Sequence, residues 1–324
     1  MIIRKLALSC ALLGTTAVLP PSQSYAQNYP SKSIRMIVPV PPGGIIDVVG
    51  RLLGQKMTEQ SGQTVVIDNR TGGLTSVGSE MVARSPGDGY TLLLQSLPMV
   101  INPSMLGKMS YDYEKDLTPI SLVVTSPYLL VVHPSVPAKS IKELIAIAKA
   151  QPGKITYSSS GNASNLHVAV ELFACMAGVK MLHIPYKGGG PALTAVLGGE
   201  ADLSALAVSA VMPHVNAGRM RALAITSPQR LPALPQIPAA AEAVPGYDFA
   251  SWVGVLAPSS TPAALVNTIN GIVVKAARAP DLVERFTKDA TQVVANSPAE
   301  FRMFIQSEAK RWAKVVKDSG MRAD

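Results

Sequence analysis

Ile34-Arg35-Met36-Ile37-Val38-Pro39-Val40 runs into Pro41-Pro42-Gly43-Gly44, and Ile45-Ile46-Asp47-Val48-Val49-Gly50-Arg51-Leu52-Leu53 follows. The first run is short and almost wholly apolar, as a strand covered on both faces requires. Prolines and glycines then break it. Beyond the break Ile46, Val49, Leu52, Leu53 and Met57 recur at helical spacing. Strand, glycine turn and amphipathic helix in that order are the opening half of a parallel-sheet unit. Thr64 to Asp68 reads as the next strand and Tyr90 to Gln95 as a third. A mostly parallel sheet covered by helices is therefore expected in the first part of the chain.

The same alternation starts again near Pro127. Tyr128 to His133, Ile155 to Ser158, Met181 to Ile184, Ala201 to Leu206 and Arg221 to Thr226 read as strands. Helices fall between them at about 164–177, 190–197 and 209–217. Another begins after Ser140, whose side chain forms a capping box with Glu143. Pro228 to Pro245 reads as an extended connector. A last strand, Trp252 to Ala257, precedes helices starting at Pro262, Pro280 and Pro298, each proline suiting a first helical turn. The expected class is α/β, with two lobes joined by a hinge and a ligand cleft between them. Residues 27–125 with 227–324 form the first lobe, and 126–226 form the second. The chain crosses near Val124-Thr125 and again near Thr226-Ser227.

The 324 residues are 48% hydrophobic and 15% charged, enough for a sizeable core and unlike a disordered chain. Net charge is +8, of which Arg4 and Lys5 supply two units. Lys and Arg form no run and aromatics are only 5%, so nucleic acid is not an expected partner. Arg4-Lys5, the apolar Leu6 to Leu19 and the small residues of Ser24-Tyr25-Ala26 read as a signal peptide at 1–26, cleaved after Ala26. Export to the periplasm is expected. Past that segment no run of eighteen apolar residues occurs. Cleavage removes Cys10 and leaves Cys175, which cannot form an internal disulfide. With Leu172, Phe173 and Met176 beside it, Cys175 reads as a buried helix residue.

Three stretches carry candidate binding chemistry. In Pro39 to Asp47 the glycines let backbone approach a ligand, and the helix that follows offers unpaired N–H groups to a carboxylate. Asp47 sits in the first helical turn, where the dipole stabilises it. In Ser158-Ser159-Ser160-Gly161-Asn162-Ala163-Ser164 hydroxyls, an amide and free N–H groups converge between strand and helix, which suits an anion without a fixed cation. In His183 to Ala192 glycines again precede a helix, without the spacing of a phosphate loop. Tyr186 there either lines a cleft or packs. Taken singly, each stretch is equally an ordinary strand–helix turn. No GxSxG elbow is present. Ser307 and Lys310 have SxxK spacing on the closing helix only. His133, His167, His183 and His214 are scattered, and Asp112, Glu114 and Asp116 read as a solvated loop. Ser160 with His167 is the pair an enzyme reading would need, but no third orienting group follows from the sequence. No catalytic residue, metal or cofactor is expected.

These stretches, in this order, resemble the Bug (Bordetella uptake gene) family of solute receptors serving tripartite tricarboxylate transporters. The likeness runs through Asp88-Gly89-Tyr90-Thr91-Leu92, Ser160-Gly161-Asn162-Ala163-Ser164, Pro185-Tyr186-Lys187-Gly188, Arg230-Leu231-Pro232-Ala233-Leu234-Pro235, Pro245-Gly246-Tyr247 and Trp252-x-Gly254-x-x-Ala257-Pro258. It implies a type 2 periplasmic binding protein fold, acting as a monomer. It implies capture of a small mono- or dicarboxylic acid and delivery to membrane transporter subunits; docking to a membrane sensor shares the same fold and site. Carried over, ligand contacts fall on Pro42, Gly43, Gly44, Asp47 and Ser96 in the first lobe. In the second they fall on Ser160, Gly161, Asn162 and Ser164, with Tyr186 and Ala207 beside them. The chain departs from the family pattern at Pro41, at Thr71-Gly72-Gly73-Leu74-Thr75, at Ala163 and at the apolar Leu206-Ala207-Val208. The last of these points to a ligand body less polar than a hydroxylated tricarboxylate.

Overall fold

β1 (Ile34–Val38) and α1 (Ile45–Ser61) are the strand and helix read at the start of the chain. The computed structural model describes residues 29–319 other than Lys108. The signal peptide expected at 1–26 lies outside the described residues. After α1 come β2 (Val65–Asn69), α2 (Ser76–Ala83), β3 (Thr91–Gln95), α3 (Pro98–Leu106), α4 (Tyr113–Asp116) and β4 (Leu117–Val132). The middle adds α5 (Ile141–Ala150), β5 (Thr156–Ser159), α6 (Asn165–Ala177), β6 (Leu182–Pro185), α7 (Gly189–Leu197), β7 (Leu203–Ala207), α8 (Val208–Asn216) and β8 (Arg221–Ile225). The last part is β9 (Ala250–Pro258), α9 (Ala263–Ala277), α10 (Pro280–Lys288), β10 (Gln292–Val293) and α11 (Pro298–Ser319).

The strands run in the order β2-β1-β3-β9-β4-β7-β5-β6, with β8 and β10 also paired to β4. β4 makes the sheet continuous. Its first part, Leu117 to Pro127, lies antiparallel to β9. Its second, Tyr128 to Val132, lies antiparallel to β7 and, from Leu129, to β8. The two lobes share one build: three parallel strands in the order second, first, third, closed by an antiparallel neighbour. These are β2-β1-β3 with β9, and β6-β5-β7 with β4. In such sheets a crevice opens at the carboxyl ends of the strands, where strand order reverses. Here that point lies between β1 and β3 in one lobe and between β5 and β7 in the other.

Burial explains the unbroken apolar runs. Ile34, Met36 and Val38 pack in one cluster with Val49 and Leu53 of α1 and Ile269 and Val273 of α9. Ile37, pointing the other way, packs with Leu93 and Leu97. α11 packs on α3, β4 and α6, so the closing helix touches both lobes. Its Phe301 meets Trp252 of β9 edge-on at 5.8 Å between ring centres, and its Trp312 meets Phe249 at 5.9 Å.

α2, β10 and the first half of β4 are absent from the sequence reading, and four further features depart from it. α3 has no polar face and carries Pro103 inside it; Met99, Val100 and Ile101 are all buried, so no helical stripe is visible. The acidic run at 112–116 is one helical turn, with the Asp112 side chain accepting from the N–H groups of Glu114 and Lys115. The 228–245 stretch is irregular but not a free connector, because Ile237, Ala239, Ala240 and Val244 are buried in the core. Cys175 is exposed rather than buried. The buried part of α6 runs from Asn165 to Ala174, and Cys175 and Met176 follow at its outward end.

Candidate functional site

A cavity of about 520 Å³ opens where the carboxyl ends of both strand sets face each other. The first lobe lines it with Pro39 to Pro41 and Gly43 to Ile46, with Thr71, Gly72, Leu74 and Thr75 before α2, and with Pro98 at the head of α3. The second lobe brings Tyr128, Ser160 to Leu166, Tyr186 to Gly190, Leu193, Leu206, Ala207 and Ala210. The lobes meet across it: a Cβ built on Gly188 would lie 3.6 Å from the Pro41 side chain, and one on Gly189 4.0 Å from Gly44 Cα. Among the described residues Lys187 is the one charged side chain in the lining.

Helix ends supply the polarity instead. α1, α2, α6, α7 and α8 all begin in the lining, at Gly44, Thr75, Ser164, Gly188 and Ala207. Gly44, Thr75, Gly188 and Ala207 place no side-chain cap on their helices. Their first N–H groups, which have no partner within the helix, and the positive ends of the helix dipoles therefore face one space. That arrangement binds anions without a cation.

Beneath the first glycine loop, Asp47 is buried to 3% exposure. Its carboxylate accepts from Gly43 N–H at 3.0 Å, from Arg51 Nε at 3.0 Å and Nη2 at 2.9 Å, and from Asn69 Nδ2 at 2.9 Å. Burial works to raise its pKa, but the bonds from Arg51, Gly43 and Asn69 outweigh burial and hold it below the usual carboxylate value. Asp47 therefore stands behind the lining and fixes the loop, instead of facing the cavity as expected. Gly43 has φ +92°, a conformation that glycine adopts without strain.

A ring stack supports the second loop. The rings of Tyr157, His183 and His167 lie one on the next, with His183 at 4.9 Å from Tyr157 and 4.1 Å from His167. Each ring is tied at its edge. Tyr157 donates its hydroxyl to Glu171. His183 Nε2 shares a hydrogen bond of 2.6 Å with Ser159 Oγ, which also accepts from Gly161 N–H at 3.1 Å. His167 Nδ1 accepts from Ala163 N–H at 3.1 Å, so its neutral ring carries the proton on Nε2. Gly161 at φ +121° and Ala163 at φ +56° are thereby held in left-handed backbone.

Burial, and next the neighbouring His183, lower the His167 pKa from 6.5 to about 3. As pH falls through 6.5 the unfolded chain takes up a proton that folded His167 refuses until about pH 3, so stability is lost across that window. Between pH 7 and pH 5 this residue is expected to cost about 2 kcal/mol. His167→Asn keeps an acceptor for Ala163 N–H and removes the titration. Urea unfolding at both pH values checks this: the variant's pH dependence is expected to be flatter by that amount.

Eight of the eleven residues expected at a ligand line the cavity: Gly43, Gly44, Ser160, Gly161, Asn162, Ser164, Tyr186 and Ala207. Pro42, Asp47 and Ser96 do not. Pro42 is an exposed turn residue. Ser96 is fully buried and receives the Asn165 side-chain N–H at 2.9 Å; the same amide group reaches Ser251 at 2.9 Å. The sequence reading missed Tyr128, Asn165, Pro98 and the 71–75 segment. Gly72-Gly73 was the available signal there, but the turn also uses positive φ at Leu74 and Thr75, which no sequence rule anticipates.

Two α/β lobes, strands reversing at a shared cleft and a cavity ringed by helix ends define a two-lobed solute receptor. The family model described as tripartite tricarboxylate transporter family receptor (TctC) matches residues 49–321, and the chain belongs to that family. It is 36% identical to protein BugT of Bordetella pertussis over 320 residues, 98% of each chain. A solved structure of an R. palustris protein with adipate is 33% identical, with a TM-score of 0.86 over 91% of this chain and 99% of that one. The structure of periplasmic binding protein BugD is 30% identical, with a TM-score of 0.85 over 91% and 99%. The Bug resemblance and the periplasmic binding protein fold are thus correct. Among the described residues no helix is long and apolar enough to cross a membrane.

Proposed function

We propose that this protein, exported and cleaved after Ala26, captures a small mono- or dicarboxylic acid in the periplasm as a monomer. It then presents the closed, loaded form to the membrane subunits of a tripartite transporter. The observation that carries the reading is the convergence of five helix N-termini on a cavity with one charged lining side chain. The adipate held by the R. palustris relative supports it. Gly43, Gly44, Ser160, Gly161, Asn162 and Ser164 hold the carboxylate; Tyr186 and Ala207 line the ligand body. The lobes, 27–125 with 227–324 and 126–226, turn about the crossings near Val124-Thr125 and Thr226-Ser227, driven by tighter contacts in the closed state.

The protein performs no chemistry on its ligand. The Ser160–His167 pair lacks a free base, since His167 Nδ1 already accepts from Ala163 N–H. Thermal unfolding of denatured and refolded protein against organic acids and their amides tests the reading. An acid at about a hundredfold excess over its dissociation constant adds roughly 2.7 kcal/mol, a rise of a few degrees in Tm. A rise with an acid and none with its amide is expected. Equal rises with both would refute carboxylate recognition, and formation of product would refute a purely binding role.

A further inference from the structure

We infer that the ligand's carbon skeleton, away from its carboxyl groups, carries no hydroxyls: the receptor takes acids with a plain methylene or aromatic body. This rests on the carboxylate reading above and narrows it.

Five of the polar side chains in the lining are engaged within the protein. Thr75 Oγ1 accepts from Gln95 at 3.0 Å. Asn165 Nδ2 donates to Ser96 and Ser251, each at 2.9 Å. Ser164 Oγ accepts from His167 N–H at 3.4 Å as the cap of α6. The Tyr186 hydroxyl donates to Glu200 at 3.3 Å. Ser251 and Asn165 face the hydroxyl of Tyr128.

What remains to receive the ligand is of two kinds. One is polar and lies in the loops that open the helices: backbone N–H at the helix ends, with the side chains of Thr71, Ser160 and Lys187 in the same loops, a set that suits carboxylate oxygens. The other is apolar surface from both lobes: Leu74 and Pro98 on one side, Leu166, Leu193, Leu206 and Ala207 on the other. A carboxylate finds donors in such a space. A mid-chain hydroxyl moves from water to methyl groups and loses its hydrogen bonds. An apolar pocket discriminates against an added hydroxyl by up to about a hundredfold. β7 and α8 matter most here, because Leu206 and Ala207, where β7 passes into α8, present apolar side chains in the lining.

The test is calorimetric titration of the refolded protein with matched pairs: glutarate and 3-hydroxyglutarate, adipate and galactarate, 3-phenylpropionate and its 3-hydroxy derivative. In each pair that binds, the plain acid is expected to bind at least tenfold more tightly. In Ala207→Asn, which adds both a donor and an acceptor to the lining, that ratio is expected to shrink. Equal or tighter binding of the hydroxylated member would overturn the inference while leaving carboxylate recognition standing. Binding by no acid of any pair, with folding confirmed by circular dichroism, would overturn carboxylate recognition and this inference together.

Discussion

Asp47→Ala is expected to lower stability by about 2 kcal/mol and to weaken ligand binding at least tenfold. The carboxylate is buried and accepts four hydrogen bonds, two from Arg51 and one each from Gly43 and Asn69. Alanine removes the acceptor of the Gly43 N–H and one of the two acceptors of the Asn69 amide, which keeps Val40 O at 3.0 Å. Arg51 stands half in solvent, with 53% of its side chain exposed, and re-hydrates at little cost. Most of the loss therefore comes from the loop that these bonds hold and from the half-buried Asn69 amide. Binding suffers because Gly43 and Gly44 lose the anchor that points the α1 N–H groups into the cleft. The folded pKa of Asp47 is depressed, so its contribution is present above the ordinary value of 3.8 and fades as pH falls through the folded one. The gap between wild type and variant in urea unfolding is thus expected to close in acid. Unchanged affinity in Asp47→Ala would show that the first glycine loop does not hold the ligand.

Gly254→Ala is expected to cost about 3 kcal/mol, at the upper end of overpacking losses. Gly254 lies in β9, in register with Leu122 of β4 and Gln95 of β3. A Cβ there would sit 2.1 Å from Phe301 Cζ and 2.6 Å from Cε1. Phe301 has nowhere to go: it is fully buried, with Trp252 at 5.8 Å and Phe304 at 6.5 Å. The clash therefore falls on the joint between the sheet and α11. Phe301→Ala alone is expected to cost about 3–5 kcal/mol through its cavity. The double variant is expected to lose clearly less than the two single losses together, because the methyl enters the vacated space. Denaturant midpoints of the three variants check this, and simple additivity would refute the clash.

What the sequence made legible follows from period and punctuation. β1 and α1 were readable because an unbroken apolar run ends at Pro41-Pro42-Gly43-Gly44 and a helical stripe follows. Gly43, Gly44 and the 160–164 loop were readable as lining because strand-to-helix turns must fall at the carboxyl edge of a parallel sheet. Side-chain direction was not readable. Position 47 is in the first turn of α1 whether its carboxylate points at the loop or at the cavity, and the pull of Asn69 and Arg51 decides it. Ser96 is turned aside by Asn165, 69 residues further on. The first half of β4 carries Pro119 and Pro127 and no alternation, because it is buried on both faces. Cys175 has apolar neighbours in sequence, yet α6 leaves the core one residue before it.

Amide hydrogen exchange with and without a bound acid tests most directly whether backbone N–H groups at converging helix ends hold the ligand. The expected result is slowed exchange at residues 43–47, 75–78, 160–167, 188–190 and 207–210, with the rest of both lobes little changed. Slowed exchange confined to other surfaces, with these segments unaffected by a saturating acid, would contradict it.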